Sequence, residues 1–143
     1  MVFEKADDVI DNYLKRENFT LEIGKEPTVI EEKIYIPHRD RFENDSSYYQ
    51  VLFNTLSVST QEKLNRKVSK IGSSSYSKEQ LINEIAGILC VASVGLADEK
   101  CNANSGAYLK EWAKLIQGNN LEEKIWSCVT DAIKSYKCIF NLS

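Results

Sequence analysis

The amino-acid sequence predicts an α+β protein that is mostly helical and has a small antiparallel β-meander near its N-terminus. Polar and apolar residues alternate within short stretches of residues 19–36, which is typical of strands. Through most of the remaining chain, apolar residues recur every three or four positions, as in amphipathic helices. The chain has 143 residues and an apolar fraction of 43%. We therefore expect one domain over residues 1–143 that buries a core without disulfide bonds or a metal ion.

The N-terminal part combines one helix with the predicted strands. Residues 3–17 carry the apolar stripe of an amphipathic helix. The alternating pattern then predicts strands at residues 19–24, 28–30 and 33–36. Pro37 ends the last of these strands, because proline has no amide hydrogen to contribute to a strand ladder.

The chain after this meander is predicted to be helical to its end. The first helix begins with Asp45 or Ser46 as its N-cap, and its apolar spacing extends as far as Val68. A second helix begins at the capping box Ser77 to Gln80, in which the serine oxygen accepts the Gln80 amide and the Gln80 side chain reaches back. This second helix is apolar on most of its circumference, so we expect it to be central.

The central helix is predicted to end near Gly95, and two further helices follow. The first of them opens at Asn104 or Ser105 and closes at Gly118, and the last is capped by Asn120. The residues of the last helix that we expect to face inward are Ile125, Trp126, Val129, Ile133, Tyr136 and Ile139.

Composition and charge exclude several classes of function. The net charge is −3 and the 18 basic residues are scattered, so the sequence lacks the basic stripe that binds nucleic acid. No apolar run approaches the roughly 20 residues that cross a bilayer. The acidic start of the chain has no apolar core of a signal peptide. We expect a cytoplasmic protein that binds neither nucleic acid nor a membrane.

The cysteines and the single histidine offer little catalytic or metal-binding chemistry. The cysteines are widely spaced, without a CxxC pair, at Cys90, Cys101, Cys128 and Cys138. All except Cys101 lie within apolar helical patterns, and we expect these to be reduced residues of the core. His38 follows the strand-ending proline. We interpret it as a solvent-facing loop residue rather than a metal ligand or the base that a serine or cysteine nucleophile requires.

Several segments carry a family resemblance through their order and spacing. They are Lys33–Pro37 with Arg41–Phe42, Tyr48–Phe53, Leu64–Arg66, Tyr76–Ile85 and Ala107–Trp112. In this order they resemble the metallopeptidase domain of ArdC-type antirestriction proteins and of the polyvalent proteins carried by phages and conjugative elements. The resemblance spans about residues 6–140 and implies a zincin-like domain. It does not include the separate single-stranded DNA-binding domain of ArdC-type proteins, so DNA binding is not expected.

The zinc-binding motif of that family is His-Glu-x-x-His on a helix, in which two imidazoles hold Zn²⁺ and the glutamate activates the bound water. The residues in register with it are Asn54, Thr55, Leu56, Ser57 and Val58. Asparagine is a poor zinc ligand, threonine is no carboxylate base and valine has no donor atom. The third ligand of the family would fall among Glu79, Gln80 and Glu84. The resemblance therefore implies a degenerate metallopeptidase without a metal or other cofactor.

We expect a non-catalytic protein-binding domain of phage or mobile-element origin, which inhibits a host defence nuclease of the restriction or CRISPR type inside a bacterium. Tyr48 and Tyr76 are the candidate partner-binding residues, because they fit helical core stripes least well. One alternative is a metal-dependent hydrolase whose active centre is rebuilt from cysteines and Glu84. Another is a structural domain derived from a polyvalent protein. The sequence does not specify the target or the oligomeric state.

Overall fold

The computed structural model describes residues 2–68, 71, 73–97, 99–114 and 121–143. Its helices are α1 (Val2–Glu17), α2 (Asp45–Ser59), α3 (Ser74–Ser93), α4 (Glu99–Lys114) and α5 (Leu121–Phe140). Its strands are β1 (Thr20–Ile23), β2 (Thr28–Ile30) and β3 (Lys33–Ile36), and a short 3₁₀ turn follows at Arg39–Arg41. The predicted α+β class, with a majority of helix and a small sheet near the N-terminus, is confirmed.

The sheet is mixed, so the prediction of an antiparallel meander was wrong. The strand order is β1-β3-β2, with β1 parallel to β3 and β2 antiparallel to it. Alternation of polar and apolar residues identifies strands but does not specify their neighbours. β3 takes the central place, where Ile34 and Ile36 are both buried, and β2 turns back onto it through Glu31, whose φ is +54°. As an edge strand, β2 lies beside α2.

Two helices begin at residues other than the predicted ones. The N-cap of α2 is Asn44, whose side-chain oxygen accepts the Ser47 amide at 2.8 Å, and not Asp45 or Ser46. The N-cap of α3 is Ser73, which accepts the Tyr76 amide at 3.2 Å. The predicted cap Ser77 is therefore a buried residue inside the helix. Each actual cap is a polar residue just upstream, and polar runs offer several equivalent caps on sequence grounds alone.

Other helix ends also differ from the predictions. α2 stops at Ser59 and does not extend towards Val68, because the chain turns through residues 60–65. α4 begins at Glu99, before the predicted start at Asn104 or Ser105. The predicted end of α3 near Gly95 is confirmed, with Gly95 at a φ of +76°. Gly118 and Asn120 lie outside the described residues.

The core lies on both sides of α3, which packs against α2, α4 and α5, as expected of the central helix. The larger cluster joins α1, the sheet and α2 to the C-terminal parts of α3 and α5, and its largest fully buried side chains are Tyr13, Tyr49, Phe53, Ile34, Leu52, Leu56, Ile139 and Val91. A smaller cluster joins the middle of α3 to α5 through Leu81, Ile82, Ala86, Cys128 and Ala132. The larger cluster packs α3 against α2, and the smaller one packs α3 against α5.

The inward face of α5 is partly rotated from the predicted one. Ile139 is buried as expected, but Trp126 is 63% exposed and Ile133 is 40% exposed. The residues that face the core between them are small: Cys128, Ala132 and Ser135. A close approach of α5 to α3 favours small side chains at the contact, and hydrophobic spacing alone does not reveal this. None of the described helices is long and apolar enough to span a membrane.

Candidate functional site

A cavity of 590 Å³ lies where β2, α2, α3 and α4 meet. Residues Asn54, Thr55 and Val58 of α2 form one wall, and Gln80 and Glu84 of α3 form the facing wall. Thr28 and Val29 contribute from β2, and Ser105 and Tyr108 from α4. The structure thus brings the positions predicted to stand in register with the family motif together with Glu84, one of the predicted acidic positions.

The contact at the centre of this site is a hydrogen bond between α2 and α3. Asn54 Nδ2 donates to Glu84 Oε2 at 2.9 Å. The two helices approach closely here because Gly87 has no side chain: a Cβ at that position would lie 2.9 Å from Gln50 Nε2 and 3.5 Å from Asn54 Cβ. Because residue 87 is glycine, α3 lies close enough to α2 for the Glu84 carboxylate to reach Asn54.

Glu84 is a buried carboxylate, only 9% exposed. Burial raises its pKa above the ordinary value, because a low-dielectric environment disfavours the charged form, and hydrogen bonds from the side chains of Ser105 and Asn54 offset this only in part. In the described part of the chain, Glu84 is the sole formally charged side chain that lines the cavity. Within the described lining, the Glu84 carboxylate therefore has no cationic side chain beside it.

Glu79, the other remnant acidic position, lies outside this cavity. Its carboxylate forms an ion pair with Arg66 at 2.8 Å, and both side chains are 6% exposed. Asn83 Nδ2 also donates to Glu79 at 3.3 Å. Glu79 therefore has a structural role, and of the two glutamates it is Glu84 that stands beside the motif positions.

The residues at the site do not fit the zinc ion that the family motif would bind. Val58 offers no donor atom, and Thr55 Oγ1 donates to the Val51 carbonyl at 2.8 Å. Asn54 Nδ2 donates to Glu84, and the remaining carboxamide oxygen of Asn54 is a poor zinc ligand. Zinc sites need three or four nitrogen, sulfur or carboxylate ligands. No group of three or more histidine, cysteine, aspartate or glutamate residues capable of holding a metal occurs within the described residues.

The described cysteines do not add ligands to the cavity. Cys90 and Cys128 are free thiols buried in the two core clusters, and Cys138 is a partly buried free thiol. Burial raises the pKa of all three, that of Cys128 to about 11, so their reactive thiolate forms are disfavoured. None of these three thiols lines the cavity.

His38 is half exposed, and its Nδ1 accepts the Asp40 amide at 3.2 Å at the start of the 3₁₀ turn. This is the solvent-facing loop position that the sequence predicts. The cavity lies elsewhere, between β2 and three helices.

The two tyrosines that the sequence singles out lie in different surroundings. Tyr76 lines the cavity at the first turn of α3. Tyr48 is half-buried and contacts Phe42 and Tyr49 edge-on, while the Arg39 guanidinium lies 4.9 Å from its ring centroid. Tyr48 thus belongs to a packed aromatic cluster near α1, while Tyr76 remains a candidate for contact with a ligand.

The cavity lining includes residues of α4 that the sequence did not predict as site residues. Ser105 was interpreted as a helix start, but it lies in the second turn of α4 and hydrogen-bonds Glu84. Tyr108 lies within the segment Ala107–Trp112 that carries part of the family resemblance, and its side chain is 58% exposed at the cavity. The side chain of Trp112 lies outside the described set. No local signal identifies these residues, because the packing of α4 across α3 decides their direction.

Comparison with known proteins gives one result that covers most of the chain. Residues 10–127 match the family model MPTase-PolyVal, described as a zincin-like metallopeptidase. No curated protein and no solved structure was found to match. The family match includes α2, α3 and α4, and so all the helices that form the cavity. The chain belongs to the zincin-like metallopeptidase family MPTase-PolyVal.

Proposed function

We propose that this chain is a non-catalytic member of its family, and that the cavity at the former zinc position binds a partner protein. The observation that carries the proposal is the Asn54–Glu84 hydrogen bond, with Val58 one helical turn beyond it on α2. Metalloprotease chemistry needs metal ligands at these positions and a carboxylate base at residue 55. An amide, a valine and a threonine leave a concave surface without that chemistry.

The proposed partner is a host defence nuclease or its nucleoprotein complex in a bacterial cytoplasm. The support comes from the family context, since the sequence resembles proteins that phages and conjugative elements carry. The chain would inhibit the nuclease by occupying it rather than by cleaving it. The scattered basic residues and the net charge of −3 favour contact with the protein over contact with its DNA.

The first test is the metal content of the purified protein, measured by elemental mass spectrometry beside a peptidase assay. We expect substoichiometric zinc, no peptide cleavage and a melting temperature that does not change when a chelator is added. Near-stoichiometric zinc together with cleavage would overturn the non-catalytic proposal. It would favour a hydrolase with a rebuilt centre.

The second test is affinity capture from the host lysate, followed by a DNA-cleavage assay with the captured nuclease. The variant Val58→Phe fills the cavity and should abolish capture and inhibition, whereas Ile133→Phe, at an exposed site on α5, should preserve both. Equal capture by the two variants would exclude the cavity as the binding site. Failure of the native protein to inhibit any captured nuclease would overturn the anti-defence proposal and favour a structural domain.

A further inference from the structure

The charge balance of the cavity restricts what can bind there. Besides Glu84, the described lining side chains are apolar, hydroxyl, phenol or carboxamide groups. No lysine, arginine or histidine is among them. A ligand with a positive charge is therefore complementary to the cavity, and a ligand with a carboxylate or phosphate is opposed by it.

The hydrogen bonds that Glu84 accepts do not neutralise it. Asn54 and Ser105 are neutral donors. An ionised carboxylate has about four lone-pair sites, so two donors leave acceptor capacity for a ligand. A buried charge without an opposite charge is costly, and the cost falls when a cation arrives. Glu84 thus offers both a charge and free acceptor positions to a cationic group.

The surroundings of the Glu84 carboxylate are complementary to a cation with an apolar stem rather than to a metal ion. Tyr76 and Tyr108 line the cavity from α3 and α4, and tyrosine rings attract cations over their faces. Val29, Val51 and Val58 provide apolar surface for an alkyl stem. Lysine and arginine combine such a stem with a charged head. The remaining lining groups include too few ionised oxygens for a divalent metal ion.

From these contacts we infer that the cavity binds a lysine or arginine side chain presented by an extended segment of a partner protein, with the charged head at Glu84. The inference rests on the proposed function and names the chemistry that the partner must present. The volume of 590 Å³ falls within the roughly 300–1,000 Å³ of ordinary ligand pockets, which is more than one side chain fills. Residues flanking the basic one therefore enter the cavity too.

The test is a nuclear magnetic resonance titration of the isotope-labelled chain with short capped peptides. The probes are acetyl-Gly-Lys-Gly-amide, the arginine analogue, and a norleucine analogue that keeps the stem but lacks the charge. We expect the basic peptides to shift the signals of Asn54, Gln80 and Ser105 and the norleucine peptide to bind at least tenfold more weakly. Butylammonium chloride is the free-amine probe and should bind more weakly than the lysine peptide.

Two variants connect the binding to the carboxylate. Glu84→Gln keeps the shape and one acceptor oxygen but removes the charge. It should lower the affinity for the basic peptides about tenfold or more and leave the affinity for the norleucine peptide unchanged. The matched control Glu22→Gln removes the same charge from β1, at the other edge of the sheet, and should have no effect. Val58→Lys places a cation from α2 in the cavity and should prevent binding of the basic peptides. This second variant tests the inference where Glu84→Gln does not fold.

The outcomes separate this inference from the proposed function. Equal binding of the norleucine and lysine peptides, or no shifts with either basic peptide at about 10 mM, would overturn the inference. If butylammonium binds as tightly as the lysine peptide, the ligand is a free amine and the inference of a partner-protein segment is overturned. If Val58→Phe abolishes capture of the partner while Glu84→Gln does not, the proposed function stands and this inference fails. If neither variant affects capture, the proposed function fails as well.

Discussion

The helix α3 carries two buried carboxylates five residues apart, and their surroundings differ sharply. Glu79 is 5% exposed and Glu84 is 9% exposed, so burial alone does not distinguish them. Glu79 faces a guanidinium, whereas Glu84 faces neutral donors and an open cavity. Among the described residues, the two glutamates therefore differ in their counter-charge rather than in their burial.

The Glu79 side of α3 is a closed polar network. Arg66 binds both oxygens of Glu79, with Nε 2.9 Å from Oε2 and Nη2 2.8 Å from Oε1. The same guanidinium donates to Thr60 Oγ1 at 2.9 Å and to the Ser57 carbonyl at 3.0 Å. It thereby joins the chain that follows α2 to the start of α3. A bidentate, fully partnered pair of this kind serves to hold segments together.

The largest expected effect is the recovery of a metal site on the Glu84 side. The triple variant Asn54→His, Thr55→Glu and Val58→His places two imidazoles one turn apart beside Glu84 and should bind near-stoichiometric zinc. Adding Glu84→Gln should weaken the zinc affinity substantially, whereas adding Glu22→Gln should not. Elemental analysis and competition with a chelator measure both. A folded triple variant without zinc would contradict the alignment of these positions with the family motif.

Next in size is the disruption of the Glu79 side. Arg66→Met leaves Glu79 buried without a cation and should lower the free energy of unfolding by about 3–5 kcal/mol. Urea unfolding measures the loss. The double variant with Glu79→Leu removes the stranded charge and should recover part of it. A loss below about 1 kcal/mol in the single variant would show that this pair does not hold the two segments together.

Removing the N-cap of α3, the helix that carries both carboxylates, should lower the free energy of unfolding by a smaller amount. Ser73→Ala removes the acceptor of the Tyr76 amide and should cost about 1 kcal/mol in thermal or urea unfolding. Ser77→Ala removes only a long hydrogen bond of 3.4 Å to the Ser73 carbonyl and should cost less. The reverse order would indicate that α3 starts at the capping box that the sequence predicts.

The smallest expected effect is the pH dependence that Glu84 contributes. Its pKa in the folded state is raised above the ordinary value of 4.5, so the folded protein holds this proton more tightly than the unfolded chain. The associated stability is complete below that ordinary value and is lost as the pH rises through the raised pKa. In Glu84→Gln, the free energy of unfolding in urea should no longer decline across this pH range. Glu22→Gln should retain it, and an unchanged slope in Glu84→Gln would contradict the assignment.

Much of the fold and part of the site follow from the sequence. Three predicted features agree with the structure: the apolar stripe of α1, the broad apolar surface of α3 and the end of α3 near Gly95. Each depends only on local periodicity or on the backbone conformation of one residue. The predicted register with the family motif names positions 54, 55 and 58, and all three of these residues line one cavity. Within the sequence alone, however, Glu79, Gln80 and Glu84 are equivalent candidates.

The sequence by itself determined most of the elements, the family and the absence of histidine from residues 45–59, because each depends on residue identity or local spacing. Only the tertiary structure decided the strand order and which glutamate meets Arg66 and which meets Asn54. It also turned Trp126 and Tyr108 outward. These outcomes depend on contacts between segments far apart in the chain. Such contacts are set by the close approach of helices at small residues such as Gly87, which local patterns do not encode.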